Sequence, residues 1–231
     1  MKRDVIRTSD FVGEASDLIV RKARNAFAER GEFRIALSGG NTPRPVYAEL
    51  ARRAAEIDWE RTFITFGDER CVPPEHEKSN YRMAQESLLL PASVPNRSVA
   101  RMRGEIEPHL AAEEYQDQLD VLAAQKGEMI FRHDLVLLGL GDDGHTASLF
   151  PGSAALEEKS RRVMANFVSK IKEWRLTFTF PLIAQARSVC FLVDGRKNPE
   201  LVEEVLAGDS RYPAANVSAT DDLTWVIGHF A

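Results

Sequence analysis

Cysteine is almost missing from this chain: Cys71 and Cys190 are the only two in 231 residues. Two thiols so far apart form no metal-ligand spacing and no disulfide framework. A bridge between them stays open at this level, but so low a count fits a reducing compartment. Long apolar runs are missing too. None approaches the ~20 residues that span a bilayer, and Met1-Lys-Arg-Asp-Val-Ile-Arg7 lacks the apolar centre of a secretory signal. The expected location is the cytoplasm, with no membrane partner. Positive charge is not in excess: 30 Lys and Arg face 35 Asp and Glu, a net charge of −5. That balance opposes a nucleic-acid surface, yet it allows a local group of Arg and Lys around a phosphorylated metabolite. Trp59, Trp174 and Trp225 are read as packing residues. No repeat, low-complexity tract or linker interrupts the chain, so 1–231 is read as one domain.

What is present is alternation. Val12, Ala15, Leu18, Ile19, Ala23, Ala26 and Phe27 recur at helical spacing behind Ser9 or Asp10 as N-cap. Short apolar strands follow at Phe33–Leu37, Thr62–Phe66, Asp134–Leu138, Ser188–Val193 and Leu223–Ile227. Further β segments are read at Val99–Met102, Arg162–Val168 and Arg175–Phe180. Between them lie helical patterns: one behind Pro43 with Val46, Tyr47, Leu50 and Ala54 inward, one capped by Ser79 or Asn80, one behind Pro108 and one over Pro199–Ala207. Strands alternating with helices predict an α/β fold: a mostly parallel sheet with helices on both faces.

In such a sheet the carboxyl ends of the strands share one edge, where ligands bind. Three polar, turn-rich segments fall there. Gly139-Leu-Gly-Asp-Asp-Gly-His-Thr-Ala-Ser-Leu-Phe-Pro151 is the most informative, since its glycines let the backbone turn sharply and deliver Asp143 and His145 to the edge. A histidine there suits general-base work, with a carboxylate to orient it. Ser38-Gly39-Gly40-Asn41-Thr42-Pro43-Arg44 joins a strand to a helix and exposes backbone N–H groups suited to a phosphate, with Arg44 one turn on. Gly67-Asp68-Glu69-Arg70 ends a third strand, followed by a proline-stiffened loop and Ser79-Asn80. Lys197, in Asp194-Gly-Arg-Lys197, begins a helix and supplies a point charge. His76, His109, His133 and His229 have no such context and are read as surface or packing residues.

These blocks resemble those of the glucosamine-6-phosphate isomerase/6-phosphogluconolactonase family, and the resemblance continues through Trp174–Pro181, Asp194–Lys197 and Leu223-Thr-Trp225, over nearly the whole chain. The stretch Asp143-Gly-His-Thr-Ala-Ser-Leu-Phe-Pro151 is similar to the lactonase branch in particular. The resemblance implies a Rossmann-like layered fold shared with glucosamine-6-phosphate deaminase and ribose-5-phosphate isomerase. It also implies hydrolysis of 6-phospho-D-glucono-1,5-lactone, the second step of the oxidative pentose phosphate pathway. The related deaminases carry a catalytic glutamate where this chain has Ser148-Leu-Phe-Pro151, which counts against deamination. Asn41 stands where serine is commoner in the lactonases.

On that basis His145 is expected to be the general base, oriented by Asp143 or by Asp68, with Arg70 stabilising the oxyanion. Ser38, Gly39, Gly40, Arg44, Asn80 and Lys197 are expected to hold the sugar phosphate. No metal or cofactor and no nucleic-acid partner is expected, and an oligomer is left open but not required. An aminosugar-phosphate deaminase and a non-catalytic sugar-phosphate sensor are the alternatives; neither has its own signature here.

Overall fold

The computed structural model describes residues 2–228; His229, one of the histidines read as non-functional, and Met1, at the head of the segment read against a secretory signal, lie outside the described residues. Six strands form one sheet in which every neighbouring pair is parallel: β1 (Lys2–Thr8), β2 (Phe33–Leu37), β3 (Thr62–Phe66), β5 (Leu135–Gly139), β8 (Ser188–Asp194) and β9 (Asp222–Gly228), in the order β1-β9-β8-β5-β2-β3. The chain leaves β2 toward β3 on one side and β5 toward β8 on the other, so the adjacent ends of β2 and β5 form the topological switch point.

The inner strands are apolar on both faces, as parallel strands must be when both faces are covered. Alternate residues divide between two cores. Phe33, Ile35, Leu37, Leu135 and Leu137 pack with helices α1 (Phe11–Arg30), α2 (Arg44–Arg52) and α3 (Asn80–Ala84). Ala36, Val136, Leu138, Val189 and Phe191 face the opposite way, toward α4 (Pro108–Ala124), α5 (Phe180–Gln185) and α6 (Pro199–Leu206). That second core also takes in Ala165, Leu176 and Phe178 from a smaller antiparallel sheet, β4 (Asp68–Arg70), β7 (Glu173–Phe178) and β6 (Val163–Val168), in the order β4-β7-β6. The two sheets therefore share one apolar cluster.

The architecture is the α/β layering that the alternation predicts, with five differences. The β segment read at Arg175–Phe180 ends at Phe178, and Phe180 begins α5, a helix not expected from the sequence. Asp68–Arg70 is not a turn but the edge strand of the second sheet. Val99–Met102 forms no strand beyond a single bridge from Val99 to Ile64. Ala54 lies beyond α2, in a short 3-10 turn. The edge strand β1 gives no sequence signal, because Lys2-Arg-Asp-Val-Ile-Arg-Thr8 is largely exposed and polar. Capping follows local chemistry: Asp10 accepts from the Gly13 N–H at 3.0 Å, and Ser79 from the Arg82 N–H at 3.1 Å. Trp59 and Trp225 are packed inside, the latter stacked on Phe191 at 3.8 Å. Trp174 is about one-third exposed, against His109. Both cysteines are free, and Cys190 is buried within β8. Among the described residues no helix is long and apolar enough to cross a membrane.

Candidate active site

Beyond β5, the loop of residues 139–150 folds back on itself. Gly141 N–H donates to the His145 carbonyl at 2.9 Å, Gly144 N–H to the Gly141 carbonyl at 2.9 Å, and Thr146 Oγ1 to the Gly139 carbonyl at 2.8 Å. Gly141 is required for contact rather than for conformation: a Cβ there would sit 2.0 Å from His145 Cε1. The imidazole also stacks on Phe150, with ring centroids 3.9 Å apart and planes 20° from parallel. Gly141 and Phe150 thus both pack closely against the ring.

Asp143 fixes its orientation. Asp143 Oδ1 lies 2.5 Å from His145 Nδ1, while Asp143 Oδ2 accepts from Lys170 Nζ at 2.7 Å. Burial opposes ionisation of Asp143, but the hydrogen bonds from Lys170 and His145 outweigh it and bring its pKa down to about 2. His145 lines the cavity, and its Nε2 has no hydrogen-bond partner among the described residues. The alternative partner, Asp68, is occupied elsewhere. It accepts from Ser148 Oγ at 2.7 Å and from Asn80 Nδ2 at 3.0 Å, and makes no bond to His145. Of the two carboxylates that the sequence leaves open, Asp143 is the one in contact.

The cavity has a volume of about 430 Å³ and opens at the switch point between β2 and β5. It gathers Ser38, Gly39, Gly40, Asp68, Arg70, Asn80, Asp143, His145 and Lys197 along one lining. Arg44 does not belong to that lining. At the first turn of α2 its side chain is exposed, and Asn41, Thr42 and Pro43 face the cavity instead. The loop before α2 is anchored by Tyr47, whose hydroxyl donates to the Ser38 carbonyl at 2.8 Å and accepts from the Ser38 N–H at 3.0 Å. Ser38 lines the cavity, and its Oγ is buried with no hydrogen-bond partner.

Arg175, Lys170 and Ile171 are among the lining residues that were not singled out as ligands in the sequence. Arg175 lies on β7 directly across from Arg70 on β4, so two guanidinium groups project from one antiparallel pair. Its side chain is 12% exposed and is steadied by Glu173 at 2.6 Å. Lys170 and Ile171, at the tip of the β6–β7 hairpin, complete the rim. Only pairing of the two β segments brings them here. Two other described histidines lie away from the cavity lining. His133 is buried against Thr65 Oγ1 at 2.8 Å, and burial, then Arg34, pushes its pKa down to about 3. His76 is exposed. Among the described residues no three His, Cys, Asp or Glu side chains come together as a metal site.

Residues 7–225 match the family described as glucosamine-6-phosphate isomerases/6-phosphogluconolactonase. The chain is 39% identical over 213 residues to a 6-phosphogluconolactonase of Synechocystis, covering 90% of this chain and 87% of that one. Identity to the 6-phosphogluconolactonase of Nostoc is 35% over 220 residues, covering 94% and 90%. Among solved structures, the 6-phosphogluconolactonase of Thermotoga maritima matches with a TM-score of 0.88 at 28% identity, over 99% of this chain and all of that one. That of Trypanosoma brucei matches with a TM-score of 0.83 at 30% identity, over 99% and 96%.

Proposed function

The chain belongs to the glucosamine-6-phosphate isomerase/6-phosphogluconolactonase family, and from that premise we propose that it hydrolyses 6-phospho-D-glucono-1,5-lactone to 6-phospho-D-gluconate. The observation that carries this reading is the Asp143–His145 pair, 2.5 Å apart, in a cavity that also holds Arg70, Arg175 and Lys197. A base beside several cations suits an ester that bears a phosphate.

His145 Nε2 takes a proton from the attacking water as its oxygen bonds to C1 of the lactone. Negative charge then develops on the carbonyl oxygen, where Arg70 stabilises it. Collapse breaks the bond from C1 to the ring oxygen, and the proton on Nε2 passes to that oxygen as the C5 hydroxyl forms. The new carboxylic acid loses its own proton to solvent. Asp143, anionic throughout the neutral range, keeps Nδ1 as the donor and steadies the imidazolium. A δ-lactone is an activated ester, and these steps use only water and side chains of this chain.

The phosphate is assigned to the backbone of residues 39–42, with Ser38 Oγ, Lys197 and Arg175; Arg175 takes the part expected of Arg44. Asn80 acts from beneath by holding Asp68. The reading takes 1–231 as one catalytic domain in the cytoplasm, supported by the apolar cluster common to both sheets and by two free thiols. It calls for no nucleic-acid or membrane partner.

The test is the decay of freshly generated lactone at mildly acidic pH, where spontaneous hydrolysis is slow. Acceleration that disappears in His145→Ala is the expected result. No acceleration by the folded protein would overturn the reading.

A further inference from the structure

Glu69 is 2% exposed, does not line the cavity, and has no cation within ion-pair distance among the described residues. A carboxylate placed so is costly unless its lone pairs are satisfied. They are satisfied by four donors from two segments. Glu69 Oε1 accepts from the Arg70 N–H at 2.8 Å and the Asn80 N–H at 2.7 Å; Oε2 accepts from the Tyr81 N–H at 2.8 Å and Ser79 Oγ at 3.1 Å. One side chain therefore joins β4 to the start of α3. Burial, opposed by these hydrogen bonds, leaves its pKa above the usual carboxylate value.

Two lining residues are set by this junction. Arg70 receives its backbone N–H contact from Glu69, and its carbonyl accepts from the Val72 N–H at 2.8 Å. The same carbonyl is pressed by Gly104, where a Cβ would come within 2.2 Å of it. Asn80, fixed by the other bond to Oε1, holds Asp68 through Nδ2, and Asp68 in turn receives Ser148 Oγ from the His145 loop at 2.7 Å. A continuous buried run of polar contacts thus connects the arginine side of the cavity to the histidine side.

We propose that Glu69 is a positioning residue for the lactonase reaction, setting the distance between Arg70 and His145 from beneath the site. The inference rests on the lactonase reading above. Its chemistry is specific to a carboxylate. A glutamine has one acceptor oxygen in place of two and turns an NH₂ toward N–H donors. The favourable orientation keeps its oxygen on Arg70 and Asn80 and sacrifices the Tyr81 contact. An alanine leaves all four donors without a partner.

Misplacement of a reacting group by an ångström costs up to roughly 100-fold. Glu69→Ala should therefore lose roughly 100-fold in kcat and Glu69→Gln roughly 10-fold. KM should change little, because the phosphate contacts lie on other elements. A merely structural role is separated by a cycle with Arg70→Gln. If Glu69 acts through Arg70, Glu69→Gln should cost less than about 2-fold on the Arg70→Gln background. Full multiplication of the two losses, or wild-type kcat in Glu69→Gln, would overturn the proposal. If Glu69→Ala does not fold, Glu69→Gln carries the cycle alone. A wild-type protein that leaves lactone decay unchanged would instead remove the lactonase reading, and this role with it.

Discussion

The two ends of the parallel sheet are both crowded with charge, and they use it in opposite ways. Below the amino ends of the strands, Asp134 is buried and accepts from the Arg34 N–H and from Arg30 Nε, each at 2.8 Å; with Arg187 Nε, 3.2 Å away, it forms an ion pair without a hydrogen bond. Arg34 sits between Glu32 and Glu128 and over the Phe131 ring at 4.7 Å. Each of those cations has its anion. At the carboxyl ends, Lys197 forms no ion pair among the described residues, and the Arg70 guanidinium reaches only the Lys78 carbonyl. Ser38 Oγ is buried there without a partner. Between these two ends the difference lies in cations left without an anion rather than in density of charge.

Substitutions at the two ends should separate activity from stability. The largest effect is expected from His145→Ala, a loss of about 10²- to 10⁴-fold in kcat with little change in the thermal midpoint, read from lactone decay and from melting. Asp134→Ala should do the reverse. Removing it leaves the Arg34 N–H unpaired and Arg187 without its anion, with Arg30 keeping only Glu29, a cost of about 2–4 kcal/mol in denaturant titration, while kcat/KM of the folded protein stays at the wild-type value. A loss of activity in that variant would erase the contrast.

Smaller effects sharpen the open end. Arg175→Gln should raise KM by roughly 10-fold with kcat nearly intact, whereas Arg44→Ala should leave both where they are. A raised KM in Arg44→Ala would return the phosphate to the start of α2. The smallest effect concerns acid. Because the folded pKa of Asp143 is depressed to about 2 from an ordinary value of 3.8, its stabilising contribution is complete above the ordinary value and fades only as pH falls toward 2. Melting points of wild type and Asp143→Asn should stay a constant distance apart from neutral pH down to about 4, then converge.

Much of this was legible in the sequence, for identifiable reasons. Inner strands such as Leu135–Gly139 are continuous apolar runs, and His145 follows one of them in a glycine-rich turn. Lys197 and Ser38–Gly40 also follow strands directly. Arg175 was not legible, because its place depends on which strands pair in an antiparallel sheet rather than on where a strand ends. Lys170 sits in a hairpin tip that reads as an ordinary charged turn. Arg44 misled for a related reason: position one turn into a helix fixes the Cα, while the side chain is free to leave the cavity. Asp68–Arg70 looked like a turn because three polar residues carry no apolar alternation; their pairing with Arg175–Thr177 makes the strand.

The packing around His145 has one more consequence. A ring packed closely against Gly141 and Phe150, with one nitrogen held by Asp143, resists the flip that would exchange its two nitrogens. In the proposed mechanism the proton that arrives and the proton that departs therefore use a single doorway. Water and ring oxygen must both come within reach of Nε2 during one turnover, so the lactone presents the same side of its ring for attack and for opening. Handedness of approach is set by the protein before any substrate enters.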